Sequence, residues 1–320
     1  MTPTTTTTTT PPPTILITGA TGFTGHHVAH EAKRQQAHLR LMTHRRPVSG
    51  PDAAVRTVRA DLTDPGTLHG LCDGVDILIH CAAQIGGMAE ANEAVNARGT
   101  TALLAEAHRA GVRRIVHLST ASVYGRGTYR GSRPEELTRR PGSATSRTRA
   151  VAEDAVLAAG GVVLRPHLIY GNGDLWMGQG MARLLRALPG TVAGWTSRMS
   201  MIAAPDLARL LTATALAPRA SLTTSIYHAA HPEPVTAHTA LRAIADCARI
   251  PWPTGQLTLP QARATLTDQN IPPSVLDMLT TDHVFEATTL WSDLRLTPGD
   301  GFDTAFHHAA PWYRTTLPTT

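Results

Sequence analysis

The chain contains little lysine, little cysteine and no long apolar run. Lys33 is the only lysine among 29 basic residues, so nearly all of the positive charge is arginine. The three cysteines, Cys72, Cys81 and Cys247, are far apart, which argues against a disulfide framework or a cysteine zinc site and fits a reducing cytoplasm. No apolar stretch approaches the ~18 residues of a membrane span. We therefore expect a cytoplasmic protein without membrane contact.

The arginines are dispersed along the chain and form no basic stripe interleaved with aromatic residues. The formal net charge is +5, and 42% of the residues are hydrophobic. This composition predicts a globular protein that does not bind nucleic acid and has a weak preference for anionic ligands. Residues 1–13, MTPTTTTTTTPPP, have the composition of a disordered tail and do not have the pattern of a secretory signal.

Short apolar strands alternate with helical patterns from Thr14 onward. The predicted strands are Thr14–Thr18, Leu39–Thr43, Ala54–Arg59, Val75–His80, Arg114–Ser119, Val162–Arg165 and Ile226–Ala229. The predicted helices are His26–Gln36, Asn92–Ala110, Val151–Ala159 and Ala208–Leu216. This alternation is typical of the α/β class, with a doubly wound parallel sheet as in a Rossmann domain. We predict that domain over residues 14–170 and a smaller substrate-binding or lid region over 171–320, from which 200–230 returns to the first domain.

A glycine-rich turn joins the first strand to the first helix. Residues 15–28 read ILITGATGFTGHHV, with Gly19, Gly22 and Gly25 at a spacing of three. Glycine permits a sharp turn and a close approach of the backbone to a pyrophosphate, and the helix start offers N–H groups to the phosphates. We predict that a nicotinamide dinucleotide binds here. The contacts are assigned to the three glycines together with Thr21, Phe23 and Thr24.

The end of the second strand indicates which dinucleotide binds. Sites for NAD carry an acidic residue there, which contacts the ribose hydroxyls. This chain instead reads Thr43-His44-Arg45-Arg46, and guanidinium groups pair well with a 2′-phosphate. We therefore predict NADPH or NADP⁺, with Arg45 as the main contact and His44 or Arg46 assisting. The alternative is a solvated basic loop with no role in cofactor choice.

Five further motifs follow the glycine turn in order. They are ADLTD at 60–64, VDILIHCAA at 75–83, Asn96 before Gly99-Thr100, RRIVHLSTASVYG at 113–125 and LRPHLIYGNGD at 164–174. From Thr14 to about Ala230 the chain thus resembles the extended short-chain dehydrogenase/reductase family, which includes nucleotide-sugar epimerases and dehydratases. The resemblance implies further cofactor contacts from Asp61, Leu62, Cys81, Ala82, Ala83, Pro166, His167 and Leu168.

The chain departs from that family at the catalytic pair. The family combines a Ser or Thr after the fifth strand, here Thr120, with Tyr-x-x-x-Lys on the next helix. In this chain Thr145 stands at the tyrosine position and Arg149 at the lysine position, so we assign these three residues to the catalytic place. Loss of a general acid typically slows a reaction by ~10²–10⁴-fold, so either catalysis is lost or the proton comes from elsewhere. The other proton sources we consider are Tyr129, His167, His80, the substrate and water.

Residues after the fourth and sixth strands are placed to contact a substrate. The predicted substrate site contains Gly86, Gly87, Met88, Tyr129, Trp176, Met177 and Gln179, and the alternative for these residues is ordinary packing. This apolar site favours an NADPH-dependent ketoreductase that reduces a bulky aromatic polyketide-type ketone, with Thr120 polarising the carbonyl. The alternatives are a nucleotide-sugar epimerase or dehydratase, and a non-catalytic NADP(H)-sensing regulator. We expect no metal and a monomer or homodimer.

Overall fold

The computed structural model describes residues 11–47, 54–272 and 274–317. Its main sheet has seven strands in the order β12-β7-β5-β4-β1-β2-β3, and every neighbouring pair is parallel. These strands are β1 (Thr14–Thr18), β2 (His38–Thr43), β3 (Val55–Arg59), β4 (Ile77–His80), β5 (Arg114–Leu118), β7 (Val162–Arg165) and β12 (Ile226–His228). The predicted α/β fold with a doubly wound parallel sheet is confirmed, and each predicted strand is present within about two residues of its expected bounds.

Eight further strands form small sheets that the sequence did not predict. They are β6 (Tyr129–Ser132), β8 (Leu168–Tyr170), β9 (Gly190–Val192), β10 (Arg198–Met199), β11 (Met201–Ala203), β13 (Val235–Thr236), β14 (Gly255–Leu257) and β15 (His283–Phe285). One sheet has the order β13-β10-β15-β6, and the pairs β11-β8 and β14-β9 stand alone. Each strand has four residues or fewer, too short for an alternating pattern to be recognised.

Within the described residues, eleven helices cover the sheets. They are α1 (Phe23–Arg34), α2 (Ala89–Asn92), α3 (Thr100–Arg109), α4 (Ala144–Ala158), α5 (Met177–Ala187), α6 (Ala204–Leu216), α7 (Ala237–Ala248), α8 (Leu259–Asp268), α9 (Ser274–Leu279), α10 (Thr288–Asp293) and α11 (Phe302–Thr316). A π-helical segment, Glu93–Gly99, joins α2 to α3. Among the helices of the described residues, none is long and apolar enough to cross a membrane.

Two hydrophobic regions hold the structure together. The first covers both faces of the main sheet, where Ile15, Leu16 and Ile17 of β1 are completely buried. Burial of each such side chain stabilises the fold by about 1.5–3 kcal/mol. The second lies among the C-terminal helices and contains the buried Trp195.

The chain crosses between the two regions more often than the sequence predicted. Leu207 of α6, within residues 200–230, packs in the first region. Leu290 and Trp291 of α10 also pack there, although we assigned residues 231–320 to the second region. In the opposite direction, β6 leaves the first domain to pair with β15.

Candidate active site

The carboxyl ends of the parallel strands bring the predicted motifs to one edge of the sheet. The residues that follow these strands are Gly19 after β1, His44 after β2, Ala60 after β3, Cys81 after β4, Ser119 after β5 and Pro166 after β7. Strand β1 lies between β2 and β4, so the chain order reverses there. In open α/β sheets, ligands bind outside the carboxyl ends at this reversal.

Two glycines of the turn, Gly19 and Gly25, are packed too tightly to be replaced by a residue with a side chain. Gly19 has φ +69°, and a Cβ added to it would lie 2.7 Å from the backbone nitrogen of Ala82. A Cβ on Gly25 would lie 2.1 Å from the carbonyl oxygen of Gly19. Gly22 precedes the first residue of α1 and provides no side-chain cap, so the N–H groups at the helix start are left for a ligand. This arrangement fits the pyrophosphate of a dinucleotide.

At the end of β2, the basic turn meets a carboxylate from the end of β3. His44 Nε2 lies 3.1 Å from Asp61 Oδ2. The pKa of Asp61 is lowered, first by the hydrogen bond from the Thr63 backbone N–H and further by His44 and Arg45. Arg45 and Arg46 are exposed. His44 is therefore held by Asp61, whereas the two arginines project into solvent.

Leu62, Cys81 and Ala82 are closely packed at the carboxyl edge of the sheet, where the cofactor is expected to bind. Leu62 is buried against the last residue of the π-helical segment, because a Cβ on Gly99 would lie 2.8 Å from the Cβ of Leu62. The Ala82 N–H donates to Thr18 Oγ1 at 3.2 Å. Burial raises the pKa of the Cys81 thiol to about 12, so this thiol stays protonated. These residues shape the wall but supply no reactive group.

His80 is occupied on both ring nitrogens. Its Nδ1 lies 2.6 Å from Thr18 Oγ1, and its Nε2 lies 2.9 Å from Thr100 Oγ1. Burial lowers its pKa to about 3, so the imidazole is neutral near pH 7. Of the roles considered for His80, internal hydrogen bonding is the one that this geometry supports, and it is not placed to deliver a proton.

Thr120 stands where β5 gives way to a 3₁₀ turn, Ala121–Tyr124. Its Oγ1 accepts from the Ser122 N–H and donates to Ser122 Oγ, both at 3.1 Å. The Ala121 N–H donates to the Pro166 carbonyl at 2.8 Å, which places the ends of β5 and β7 side by side. Because Ser122 is exposed, the Thr120 hydroxyl can exchange that partner for a substrate carbonyl. Ser122 is a site residue that the sequence analysis missed.

Thr145 does not present a free proton. Its Oγ1 donates to Asn92 Oδ1 at 2.8 Å and accepts from the Gly86 N–H at 3.1 Å. Our assignment of Thr145 as a catalytic group is therefore corrected, because its hydroxyl proton is donated to the buried Asn92, whereas the partner of the Thr120 hydroxyl, Ser122, is exposed. The buried Asn92 was also missed, although its spacing of four residues from Asn96 places both on one helix face.

Arg149 is directed into the protein interior. Its guanidinium Nη2 donates to the Leu118 carbonyl, and its side chain is buried between α4 and β5. Burial lowers its pKa to about 10, which still leaves it charged near pH 7. The Arg149 Nε is buried without a hydrogen-bond partner within the described part of the chain. Arg149 therefore keeps a buried positive charge at the carbonyl end of β5.

The other two side chains considered as proton donors differ: the hydroxyl of Tyr129 is engaged, whereas His167 Nε2 is buried without a hydrogen-bond partner among the described residues. We assigned Tyr129 to the substrate site, but it lies in β6, and its hydroxyl donates to the Tyr124 carbonyl at 3.1 Å. That prediction is wrong, because pairing of β6 with β15 buries the phenol. His167 stacks on His283 with ring centroids 4.9 Å apart, and burial lowers its pKa to about 3. Leu168 continues into β8, where its N–H donates to the Ser200 carbonyl.

The predicted substrate residues divide into exposed and buried ones. Met88 is 77% exposed and Trp176 65% exposed, as an apolar ligand surface requires, and Gln179 is also exposed. Gly86 and Gly87 both have positive φ, which shapes the turn after β4. Met177, by contrast, is buried in the second hydrophobic region, so its assignment to the substrate surface is wrong. The exposed neighbour Ile85 was missed.

The loop formed by residues 171–176 rests on the cofactor helix. A Cβ on Gly173 would lie 3.0 Å from the Phe23 ring, and His27 Nε2 is 2.8 Å from the Asn172 carbonyl oxygen. The other end of the loop is fixed by the buried Asp174, which accepts hydrogen bonds from the backbone N–H of Trp176 and from Tyr313. The loop thus connects the first turn of α1 with the second hydrophobic region.

No group of three or more His, Cys, Asp or Glu side chains in the described ranges could hold a metal ion.

Residues 15–230 match the NAD dependent epimerase/dehydratase family. The chain belongs to this family. The family match covers every motif on which the sequence resemblance was based.

Relatives of this family member include reductases and dehydrogenases. A 2-alkyl-3-oxoalkanoate reductase of Stenotrophomonas maltophilia is 30% identical over 239 residues, 69% of this chain and 71% of that protein. A 3 beta-hydroxysteroid dehydrogenase/Delta 5-->4-isomerase of Mycobacterium tuberculosis is 32% identical over 180 residues, 51% of this chain and 49% of that protein. The chain spans about half the length of the first curated relatives that it matches.

A solved structure shares the fold over nearly the whole chain. The Bordetella bronchiseptica enzyme WbmH, in complex with NAD⁺, superposes with a TM-score of 0.76. The match covers 95% of this chain and 99% of that one at 16% identity. At this identity the likeness establishes the fold and nothing finer.

Proposed function

We propose that this protein is an NADPH-dependent ketoreductase that reduces a carbonyl of a bulky aromatic substrate. The observation that supports the proposal is that the tightly packed glycine turn and the Thr120 hydroxyl follow strands β1 and β5 at the same edge of the sheet. Carbonyl reduction needs positioning and polarisation of one C=O group, whereas epimerisation and dehydration also need a strong acid or base in the site. The reductases among the relatives support the same reaction class.

Each residue of the edge has a role in this reaction. The first turn of α1 and the glycines Gly19, Gly22 and Gly25 would hold the pyrophosphate, and Pro166 and His167 would border the nicotinamide. When bound, the reduced nicotinamide supplies a hydride to the carbonyl carbon. The Thr120 hydroxyl donates a hydrogen bond to the carbonyl oxygen, and the proton that completes the alcohol comes from a phenol of the substrate or from water.

The exposed arginines support NADPH as the cofactor. Arg45 is exposed after the end of β2 at the sheet edge, whereas His44 is held by Asp61. We expect Arg45→Ala to weaken NADPH binding about tenfold, or ~1.4 kcal/mol, and to leave NADH binding unchanged, as titration of cofactor fluorescence would show. Arg34→Ala, on the exposed face of α1, is the matched control. Equal dissociation constants for NADPH and NADH in the unmodified protein would exclude this part of the proposal, and the NAD⁺ bound to WbmH makes that comparison necessary.

The substrate class is inferred from apolar exposure and from the altered catalytic pair. Ile85, Met88, Leu175 and Trp176 are each at least 50% exposed beside loops that follow the sheet edge. A planar polyphenolic ketone would cover such surface and could supply its own proton. Loss of the Tyr/Lys pair also resembles an atypical branch of the family in aromatic-polyketide tailoring, of which the angucyclinone ketoreductase of simocyclinone biosynthesis is an example.

Turnover of NADPH with a panel of polyaromatic ketones tests the proposed activity. We expect oxidation of NADPH that requires the ketone, and a fall in kcat of about 100-fold in Thr120→Val, because the carbonyl loses its hydrogen-bond donor. Thr101→Val is the control, since that hydroxyl donates only to the Ala97 carbonyl of its own helix.

The engaged Thr145 also fits a second function, a non-catalytic NADP(H)-sensing regulator. Tight NADPH binding with no turnover across the whole panel would support that regulator and exclude the ketoreductase. A Thr120→Val variant with an unchanged rate would show that another group polarises the carbonyl.

A further inference from the structure

The loop that follows β4, Gln84–Met88, is fastened by buried side chains. Asn92 Nδ2 donates to the carbonyl oxygens of Gly86 and Met88, at 2.8 and 3.0 Å. The Gly86 N–H donates to Thr145 Oγ1, which in turn donates to Asn92 Oδ1. Both backbone polar groups of Gly86 are thereby bound, although the residue itself lies on the surface.

A second asparagine fixes the beginning of the same loop. Asn96 Oδ1 accepts from the Gln84 N–H at 2.8 Å, and its Nδ2 donates to the Gln84 carbonyl at 2.9 Å and to Thr148 Oγ1 at 3.0 Å. Asn92 and Asn96 are 0% and 2% exposed. A buried amide with all of its partners in place rigidifies its surroundings, because each lost hydrogen bond would leave a costly unpaired group.

The backbone between α2 and α3 allows these contacts. Asn92 ends α2, and Asn96 lies inside the π-helical segment Glu93–Gly99. Such segments are rare and often occur at functional sites. Here the segment brings both amides to the Gln84–Met88 loop while α3 continues along the sheet.

The fastened loop carries apolar side chains into solvent. Ile85 is 55% exposed and Met88 77% exposed, and they flank Gly86 and Gly87, whose positive φ values turn the backbone. A surface glycine loop is ordinarily mobile. Hydrogen bonds at both its ends give this one a fixed shape, which an apolar ligand can contact without first ordering the chain.

We propose that Thr145 is a positioning residue that fixes the Gln84–Met88 loop as the specificity surface for the bulky ketone. This inference rests on the proposed ketoreductase function and gives the altered catalytic position a role of its own. A threonine hydroxyl is close enough to the α4 backbone to bind Gly86 and Asn92 together. A tyrosine would place its hydroxyl a full ring farther out and could not make both contacts.

The experiment compares Thr145→Val, which lacks the hydroxyl, with Thr145→Ser, which keeps it. Amide hydrogen exchange at Gly86 should accelerate about tenfold in Thr145→Val and stay normal in Thr145→Ser, because only the first loses the acceptor for the Gly86 N–H. KM for a bulky polyaromatic ketone should rise about tenfold in Thr145→Val, with kcat changed less than about threefold and KM for a small aliphatic ketone unchanged. Thr101→Val should match the unmodified protein in every measurement.

A second variant, Asn92→Asp, keeps an oxygen for Thr145 but removes both amide donors to the loop. It should also accelerate exchange at Gly86 and raise KM for the bulky ketone. Unchanged exchange at Gly86 in both variants, with circular dichroism showing the fold intact, would overturn the inference. A fall in kcat at constant KM in Thr145→Val would equally overturn it, because Thr145 would then act in the chemical step. If no ketone is reduced even by the unmodified protein, the ketoreductase proposal fails, whereas hydrogen exchange still decides whether Thr145 fastens the loop.

Discussion

Two helices, α1 and α4, begin beside the same edge of the sheet but begin in opposite ways. At the start of α1, Gly22 supplies no side chain, and the first-turn N–H groups are left without a side-chain cap. At the start of α4, Ser143 and Ser146 cap each other reciprocally, and Thr145 is bound to Asn92 and Gly86. One start is built to receive an anion, and the other has already used its polar groups internally.

The difference shows that the two helix starts leave different groups free for a ligand. The start of α1 carries the glycines that its close packing demands. The start of α4 binds the Thr145 hydroxyl to Gly86 and to Asn92. In this chain the glycine turn therefore indicates cofactor binding more strongly than α4 indicates the usual catalytic chemistry.

The largest expected effect on cofactor binding comes from adding a side chain to the glycine turn at the start of α1. Gly25→Ala would place a methyl group 2.1 Å from the Gly19 carbonyl oxygen, so the turn must move. We expect NADPH affinity to fall about 100-fold, or ~2.7 kcal/mol, in a fluorescence titration. Gly142→Ala, near the start of α4, is the control, because no atom lies within 4 Å of the added Cβ. Normal affinity in Gly25→Ala would mean that the cradle is not the cofactor site.

A loss of similar size, in stability instead of cofactor affinity, is expected deeper in α4. Glu153 is completely buried, and its carboxylate accepts from Arg165, Arg139 and Ser119. Glu153→Gln removes the negative charge and leaves the buried Arg165 without its counterion. We expect the free energy of unfolding in urea to fall by about 3 kcal/mol. Asp154→Asn, one residue on and 61% exposed, should cost less than about 1 kcal/mol. An equal loss of stability in Glu153→Gln and Asp154→Asn would contradict the role given to the buried Glu153–Arg165 pair.

The folded protein should become less stable at acidic pH because of two buried histidines, His80 in β4 and His117 in β5. Burial lowers the pKa of His80 to about 3 and that of His117 well below 6.5, and the nearby Arg149 adds to both shifts. The unfolded chain therefore binds protons near pH 6.5 that the folded chain does not, so stability falls as the pH drops below 6.5. One unit below that value, each histidine should remove about 1.4 kcal/mol from the free energy of unfolding. Denaturation curves for His80→Gln should show a shallower dependence on pH, and those for the exposed His38→Gln should not; identical curves would contradict this account.

The smallest expected effect comes from removing the Ser143 cap at the start of α4. Ser143→Ala removes the acceptor of the Ser146 N–H at 3.1 Å. Loss of such a cap costs about 1 kcal/mol in thermal or chemical unfolding. Cofactor affinity should stay unchanged, because α4 takes no part in holding the pyrophosphate. A weaker NADPH complex in this variant would show that the two helix starts are coupled after all.

Much of the sheet was predictable, because buried parallel strands are continuous apolar runs between glycines and helices. Helix α4 was predicted to begin at Val151, but it begins at Ala144. Its first turns are rich in Ser, Thr and Arg and show no apolar periodicity, and only the Ser143–Ser146 capping box indicates the true start. This capping box consists of polar residues, so a prediction based on the spacing of hydrophobic residues missed it.

The site was predictable where motifs follow strands and unpredictable where distant segments meet. Thr120 and the glycine turn lie at the sheet edge because parallel topology requires it. Tyr129 was misplaced because its partner strand, β15, is more than 150 residues away in sequence. The contact between Thr145 and Asn92 depends on the π-helical segment, for which the sequence has no recognised signal.

The loop formed by residues 171–176 has a kinetic consequence. It leans on Phe23 and His27 of α1 at one side and is tied by Asp174 to Tyr313 at the other. A dinucleotide bound at the first turn of α1 would therefore lie against the same helix turn that this loop contacts. We expect compulsory-order kinetics, in which the dinucleotide enters first and leaves last, because a ketone bound on Trp176 would lie on a loop that is fastened over the start of α1.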